Sequence, residues 1–134
     1  MGSLIDSSVL IDLERKNLSL EDVRSDHYEE WNISAVTVSE LLFGLYRAQT
    51  EAQKDRRQAF LEGVLERLTV LSFDLRAAEE HARIWFHLMA SGLPIGAHDL
   101  LIAAIALAHG LDIMTLNVRE FSRVPGLAVR QPSW

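Results

Sequence analysis

Four polar side chains of this chain fall where a hard cation and a phosphate could be held together: Asp6, Glu40, Asp99 and Asn117. Asp6 ends the apolar pair Leu4-Ile5, and Glu40 lies one turn beyond the stretch 33–36, ISAV. Asp99 heads a run in which every residue from Leu100 to Ala108 is Leu, Ile or Ala, and Asn117 follows DIMTL, residues 112–116. Each acid alone has an ordinary explanation. Asp6 is a good helix N-cap. Thr37-Val38-Ser39-Glu40 reads as a capping box in which Glu40 bonds back to Thr37. Asp99 suits the positive end of a helix dipole. Together they have a sharper one. Three carboxylates in one crevice repel each other and raise one another's pKa, so the arrangement calls for a neutralising cation. Oxygen ligands without cysteine or clustered histidine favour Mg²⁺ or Mn²⁺ over zinc. Such an ion, bridging carboxylates and a phosphate, activates water and stabilises a leaving oxygen. The chemistry implied is hydrolysis of a phosphodiester. Asp74 is the internal control: it also follows a strand-like stretch, 69–73, and is expected to be a cap and nothing more.

These acids need a scaffold that gathers them. Short apolar stretches, read as strands, alternate with helical patterns along the whole chain. The strand candidates are Leu4-Ile5, 33–36, 69–73, 112–116 and the extended piece LAVRQ, 127–131. Between them a helical pattern runs from Val9 to Leu13, and the polar segment 17–30 reads as a short helix with a loop. Helices opened by Thr37, by Glu51 and by Asp74 follow, the last ended by Gly92 after Ser91. A short turn lies around Arg119-Glu120-Phe121. That alternation predicts an α/β domain, a mainly parallel sheet sandwiched between two helix layers. In open parallel sheets ligands bind beyond the carboxyl ends of the strands. Asp6, Glu40 and Asn117 lie at that edge, and Asp99 joins them if its helix begins there. The Leu100–Ala108 run is apolar all round and therefore a buried central helix; a bilayer span needs about 20 residues. His109-Gly110 closes it with a glycine where a left-handed C-cap is wanted. Gly44, inside the third helical pattern, predicts a close approach by another element.

The bulk composition fits this reading. A chain of 134 residues suits one domain, residues 1–134, with a core large enough to need no staples. It has no cysteine, which excludes disulfides, thiolate metal sites and a cysteine nucleophile, and fits a reducing cytoplasm. Asp6 and Asp12 interrupt the apolar N-terminus, so no signal peptide is expected. The net charge of −6 excludes a grip on nucleic acid through bulk charge, leaving a local basic patch, a bound cation or a partner.

Three segments resemble, in order and spacing, the PIN-domain ribonucleases, specifically the toxins of VapBC-type toxin–antitoxin pairs: LIDSSVLID from Leu4, ISAVTVSELLFG from Ile33, and GLPIGAHDLLIAAIALAHGLDIMTLNVREFSRVPGL from Gly92. The resemblance covers nearly the whole chain. It implies a three-layer α/β/α sandwich and a metal-dependent endoribonuclease using Mg²⁺ or Mn²⁺. Asp6 and Asp99 would be the principal metal ligands, and Glu40 the third acid, binding a second ion or positioning water. The family often has a further Asp two residues after the strand-four threonine; here Thr115 is followed by Asn117, a poorer ligand. Asn117 with Arg119-Glu120-Phe121 after it is similar to a subset of these toxins that cut initiator tRNA in its anticodon loop. The resemblance also implies a homodimer and an antitoxin whose C-terminal segment covers the acidic groove.

Other residues are weighed against these. His98 abuts Asp99 and could touch a phosphate or simply open a helix. None of the five histidines has a metal-binding spacing. His81, Trp85, Phe86 and His87 form a cluster expected in a core or a dimer contact rather than under a nucleobase. Glu120 could supplement the site or pair with a neighbouring arginine. If RNA binds, Arg15, Lys16, Arg119 and Arg123 are the candidates for its phosphates. Leu41, Leu42, Phe43, Leu45 and Tyr46 exceed what one helix face needs for a core, which points to a partner. Two alternatives stand beside the nuclease. One is a non-catalytic acidic-pocket signalling module, which would need a lysine after a late strand; the only lysines are Lys16 and Lys54, both early. The other keeps the fold as a nucleic-acid-binding or scaffolding module with vestigial catalysis.

Overall fold

The computed structural model describes residues 2–23 and 30–134. Strand and helix alternate as β1 (Gly2–Ile5), α1 (Ser7–Arg15), α2 (Leu20–Val23), β2 (Glu30–Ser34), α3 (Ala35–Tyr46), α4 (Glu51–Arg67), β3 (Thr69–Leu71), α5 (Leu75–Ser91), α6 (Ala97–Ala108), β4 (Asp112–Met114), α7 (Val118–Phe121) and β5 (Val129–Arg130). The five strands form one sheet in the order β3-β2-β1-β4-β5, and every pairing is parallel. Chain order reverses at β1, so the crevice beyond β1 and β4 is the topological switch point where such sheets place ligands.

Side-chain alternation along the strands builds the two outer layers. Leu4 and Ile113 face one way, into a core closed by Ile84, Leu88 and the α6 residues Ile102 to Ala106. Ile5, Ile33 and Met114 face the other way, against Val9, Leu10 and Leu13 of α1 and Val64 of α4. The α/β/α sandwich expected from the pattern is therefore present. The α6 run is buried nearly all round, with Ile102 to Ala106 fully enclosed. Asp74 accepts a bond from the Ala77 N–H at 2.9 Å, a plain cap, and Gly92 (φ +68°) and Gly110 (φ +65°) take the left-handed positions that end α5 and follow α6.

Three expectations change. Helix α3 begins at Ala35, not Thr37, because the Ser34 hydroxyl captures the Thr37 N–H at 3.0 Å and ends β2 two residues early. The capping box on Thr37 therefore does not exist, and Glu40 lies in the second turn with no capping duty. Gly44 marks no close approach: a Cβ there would meet nothing within 4 Å. Its carbonyl accepts from Arg57 at 2.7 Å instead. The stretch 69–73 pairs only over Thr69–Leu71. The end of the polar segment after α2, including His27, lies outside the described residues.

Candidate active site at the carboxyl edge of the sheet

Asp6 leaves β1 at the switch point. Its amide donates to the Met114 carbonyl at 2.9 Å, which fixes the backbone between the two central strands. The side chain is 1 % exposed. It occupies the N-cap position of α1 but makes no capping bond. Instead Oδ2 accepts from the Ser8 hydroxyl at 2.7 Å and the Thr115 hydroxyl at 2.8 Å. Oδ1 is buried with no hydrogen-bond partner among the described residues. The helix that the sequence would have Asp6 cap thus runs uncapped by it, and the carboxylate is held for something else.

Asp99 enters from α6. That helix starts at Ala97, with Gly96 at the N-cap, so Asp99 lies in its first turn, where the helix dipole also favours an acid. Burial, the charge of Asp6, a hydrogen bond and charge from Glu120 and the charge of Glu40 push its carboxyl from 3.8 up to about 7. Glu40 enters from the second turn of α3. Burial and the Asp6 charge raise its carboxyl, opposed by the Ser7 hydroxyl and by His98. His98 Nδ1 lies 3.7 Å from Glu40 Oε2. The three acids singled out from the sequence therefore act on one another across the crevice. Glu120 joins them as a fourth: its contact is with Asp99 rather than with an arginine.

Asn117 is placed differently. It is exposed at the N-cap position of α7, with no side-chain capping bond. Its amide donates to the Thr115 hydroxyl at 2.8 Å. Backbone, not side chain, ties it to the site. The two hydroxyls that hold Asp6 were the part sequence reasoning missed. Ser8, two residues after the acid, is a local signal, but a separation of 107 positions in the chain hides its convergence with Thr115.

The donor set fits a divalent cation. Asp6 Oδ1 and Glu40 Oε1 are both buried and unpartnered among the described residues, a costly state for carboxylate oxygens and one a hard cation relieves. Asp112 Oδ1 is a third such atom, but it lies at the start of β4, beside Arg130 at 3.5 Å. As they stand, no three His, Asp or Glu side chains among the described residues gather closely enough around one point to hold an ion. Of the basic candidates, Lys16 pairs with Asp12 at 3.0 Å. Arg123 donates to the Pro94 carbonyl at 2.9 Å, which ties down the segment leading into α6. Arg15 and Arg119 are exposed.

Comparison with known proteins places the chain among similar sequences and folds. The profile of the PIN domain matches residues 3–127. A Rickettsia felis protein named ribonuclease VapC1 is 40% identical over 129 residues, covering 96% of this chain and 95% of its own. A Salmonella typhimurium protein named tRNA(fMet)-specific endonuclease VapC is 38% identical over 97 residues, covering 72% of this chain and 71% of its own. The crystal structure of VapBC-5 from Mycobacterium tuberculosis, a member of the VapBC family of toxin–antitoxin systems, contains a chain with a TM-score of 0.75 and 30% identity, covering 97% of this chain and 96% of that one.

Proposed function

This chain belongs to the PIN domain family, and from that premise we propose that it is an endoribonuclease toxin, neutralised by a cognate antitoxin, whose Asp6, Glu40 and Asp99 hold Mg²⁺ or Mn²⁺. The observation that carries the reading is the meeting of these acids and Glu120 at the switch point, with buried oxygens of Asp6 and Glu40 left unpartnered. A bound cation supplies charge neutralisation there and activates water for attack on phosphorus. The chain's own residues do the positioning. Ser8 and Thr115 fix Asp6. Burial first, then the neighbouring charges of Asp6, Glu120 and Glu40, hold the Asp99 carboxyl above its usual range. Arg119, exposed beside Glu120, receives an RNA phosphate, with Arg15 at the end of α1 as a second contact. His98, exposed at the mouth beside Glu40, faces the incoming strand. Asn117 lines the same mouth.

The relatives' names support RNA as substrate and, in one branch, tRNA. The likeness to a toxin–antitoxin complex supports an antitoxin partner. The exposed apolar stripes on α3 and α5, with Tyr46 88 % and Phe86 77 % exposed, support two protein contacts, one to the antitoxin and one to a second copy of the chain. No described helix is long and apolar enough to cross a membrane, and the reading places the toxin in the cytoplasm with its RNA. The whole of residues 1–134 acts as one domain.

Incubating the purified protein with total RNA, with Mg²⁺, Mn²⁺ or EDTA, and mapping new ends tests this. Metal-dependent cuts are expected, and Asp99→Asn is expected to lack them. Equal cutting by both proteins would overturn the assignment of the site.

A further inference from the structure

Ser8 does more than hold Asp6. Resting on the nuclease reading above, we propose that Ser8 is a positioning residue that clamps the turn between β4 and α7 and thereby places the Glu120 carboxylate against Asp99. The hydrogen count carries the argument. A serine hydroxyl has one proton and two lone pairs. The Ser8 proton goes to Asp6 Oδ2 at 2.7 Å, and the Thr115 proton goes to the same oxygen at 2.8 Å. Both hydroxyl oxygens are then left as acceptors. Ser8 Oγ takes the Leu116 N–H at 3.1 Å, and Thr115 Oγ1 takes the Asn117 N–H at 2.8 Å. The 3.3 Å approach of the two hydroxyls to each other has no proton left to bridge it.

Every hydrogen of the network is assigned, and the polarity runs one way: two successive amides of the turn, two hydroxyls, one carboxylate oxygen. Thr115 belongs to the turn it caps. Ser8 reaches the Leu116 amide of the turn from another element, α1, so it joins the start of the fold to the segment that carries Glu120. Asn117 carries the second of the two clamped amides, and α7, carrying Glu120, starts at the next residue. Removing the Ser8 hydroxyl leaves Asp6 with its Thr115 bond. It leaves the Leu116 amide with no bond to α1, so the loss falls mainly on the turn.

Mn²⁺ binding without RNA, measured by calorimetry, tests the clamp. Ser8→Ala is expected to weaken Mn²⁺ about tenfold, the usual scale for a residue that orients a ligand, and Ser8→Thr to restore most of it. The penalty is expected to shrink toward none when Glu120 is already Gln, because it travels through Glu120. An equal penalty in both backgrounds would mean that Ser8 only orients Asp6, and would overturn the proposal; so would no penalty at all. Amide hydrogen exchange in the metal-free protein reads the turn independently. Leu116, Asn117 and Phe121, whose amides are bonded to Ser8, Thr115 and the Asn117 carbonyl, are expected to lose protection in Ser8→Ala and recover it in Ser8→Thr, and unchanged protection would overturn the clamp. Failure of the unmutated protein to bind Mn²⁺ would instead count against the nuclease reading, with exchange still deciding the clamp.

Discussion

At the scale of single residues, the site is a set of carboxylates denied their usual employment. Capping explains Asp74 fully and does not explain Asp6, which makes no capping bond, and a first-turn position alone does not explain the raised carboxyl of Asp99. The difference has a measurable consequence at Asp99. Its carboxyl is raised from 3.8 to about 7 by burial and then by Asp6, Glu120 and Glu40. Between those values the folded state holds a proton that the unfolded chain has released. Stability of the metal-free protein, relative to Asp99→Asn, is therefore greatest below about pH 4 and falls as pH rises through 7. Allowing for the half-exposed setting, the loss is about 1–2 kcal/mol. Urea unfolding in EDTA across this range checks it; a pH-independent difference between the two proteins would show that the carboxylates do not interact. Mn²⁺ is expected to stabilise the wild type more at pH 8 than at pH 5, because it competes with the proton. The acids were legible from residue type and position. The hydroxyls were not, since a serine or threonine gains its meaning only from what the fold brings beside it. Glu120 was ambiguous for the same reason: its nearest sequence neighbours include an arginine, and its spatial neighbour is Asp99.

At the scale of elements, the alternation of apolar stretches and helical stripes was enough to give the order, the parallel sheet and the buried α6, because burial on both sheet faces leaves so plain a hydrophobic signature. Boundaries were less legible, and each error has a local cause. Ser34 took the Thr37 amide that the capping box assigned to Glu40, which moved α3 and released Glu40 from capping. Helix α6 begins at Ala97, ahead of the apolar run, and that is what puts Asp99 in a first turn facing the strand ends. Caps and site acids should separate experimentally. Asp74→Ala removes a true cap and is expected to cost about 1 kcal/mol of stability with RNA cleavage unchanged, measured by chemical denaturation beside the cleavage assay. A loss of cleavage at undiminished stability would mean that Asp74 belongs to the site after all.

At the scale of the whole molecule, the exposed apolar surface of α5 is what the homodimer proposed above would use. Trp85, Phe86 and Met89 stand exposed on one face of α5. Beside them a cavity of about 360 Å³ opens between α5 and the start of α6, lined by Trp85, Met89, Pro94, Ile95 and Leu101. A projecting aromatic and an apolar socket on the same surface are what a twofold contact requires, since each copy must offer both halves of the fit. The net charge of −6 opposes self-association only weakly once salt screens it, so apolar contact decides. Phe86→Asp places a charge where the partner copy would bury an aromatic ring. An interface anchor of this kind is worth about 2 kcal/mol or more, so the dimer is expected to weaken by about thirtyfold or more in sedimentation equilibrium. Because Phe86 is 77 % exposed in the single chain, the variant's own fold should hardly change, nor its melting temperature at dilutions where both proteins are monomeric. Dimers as tight as the wild type's would place the self-contact elsewhere and leave the α5 face for another partner.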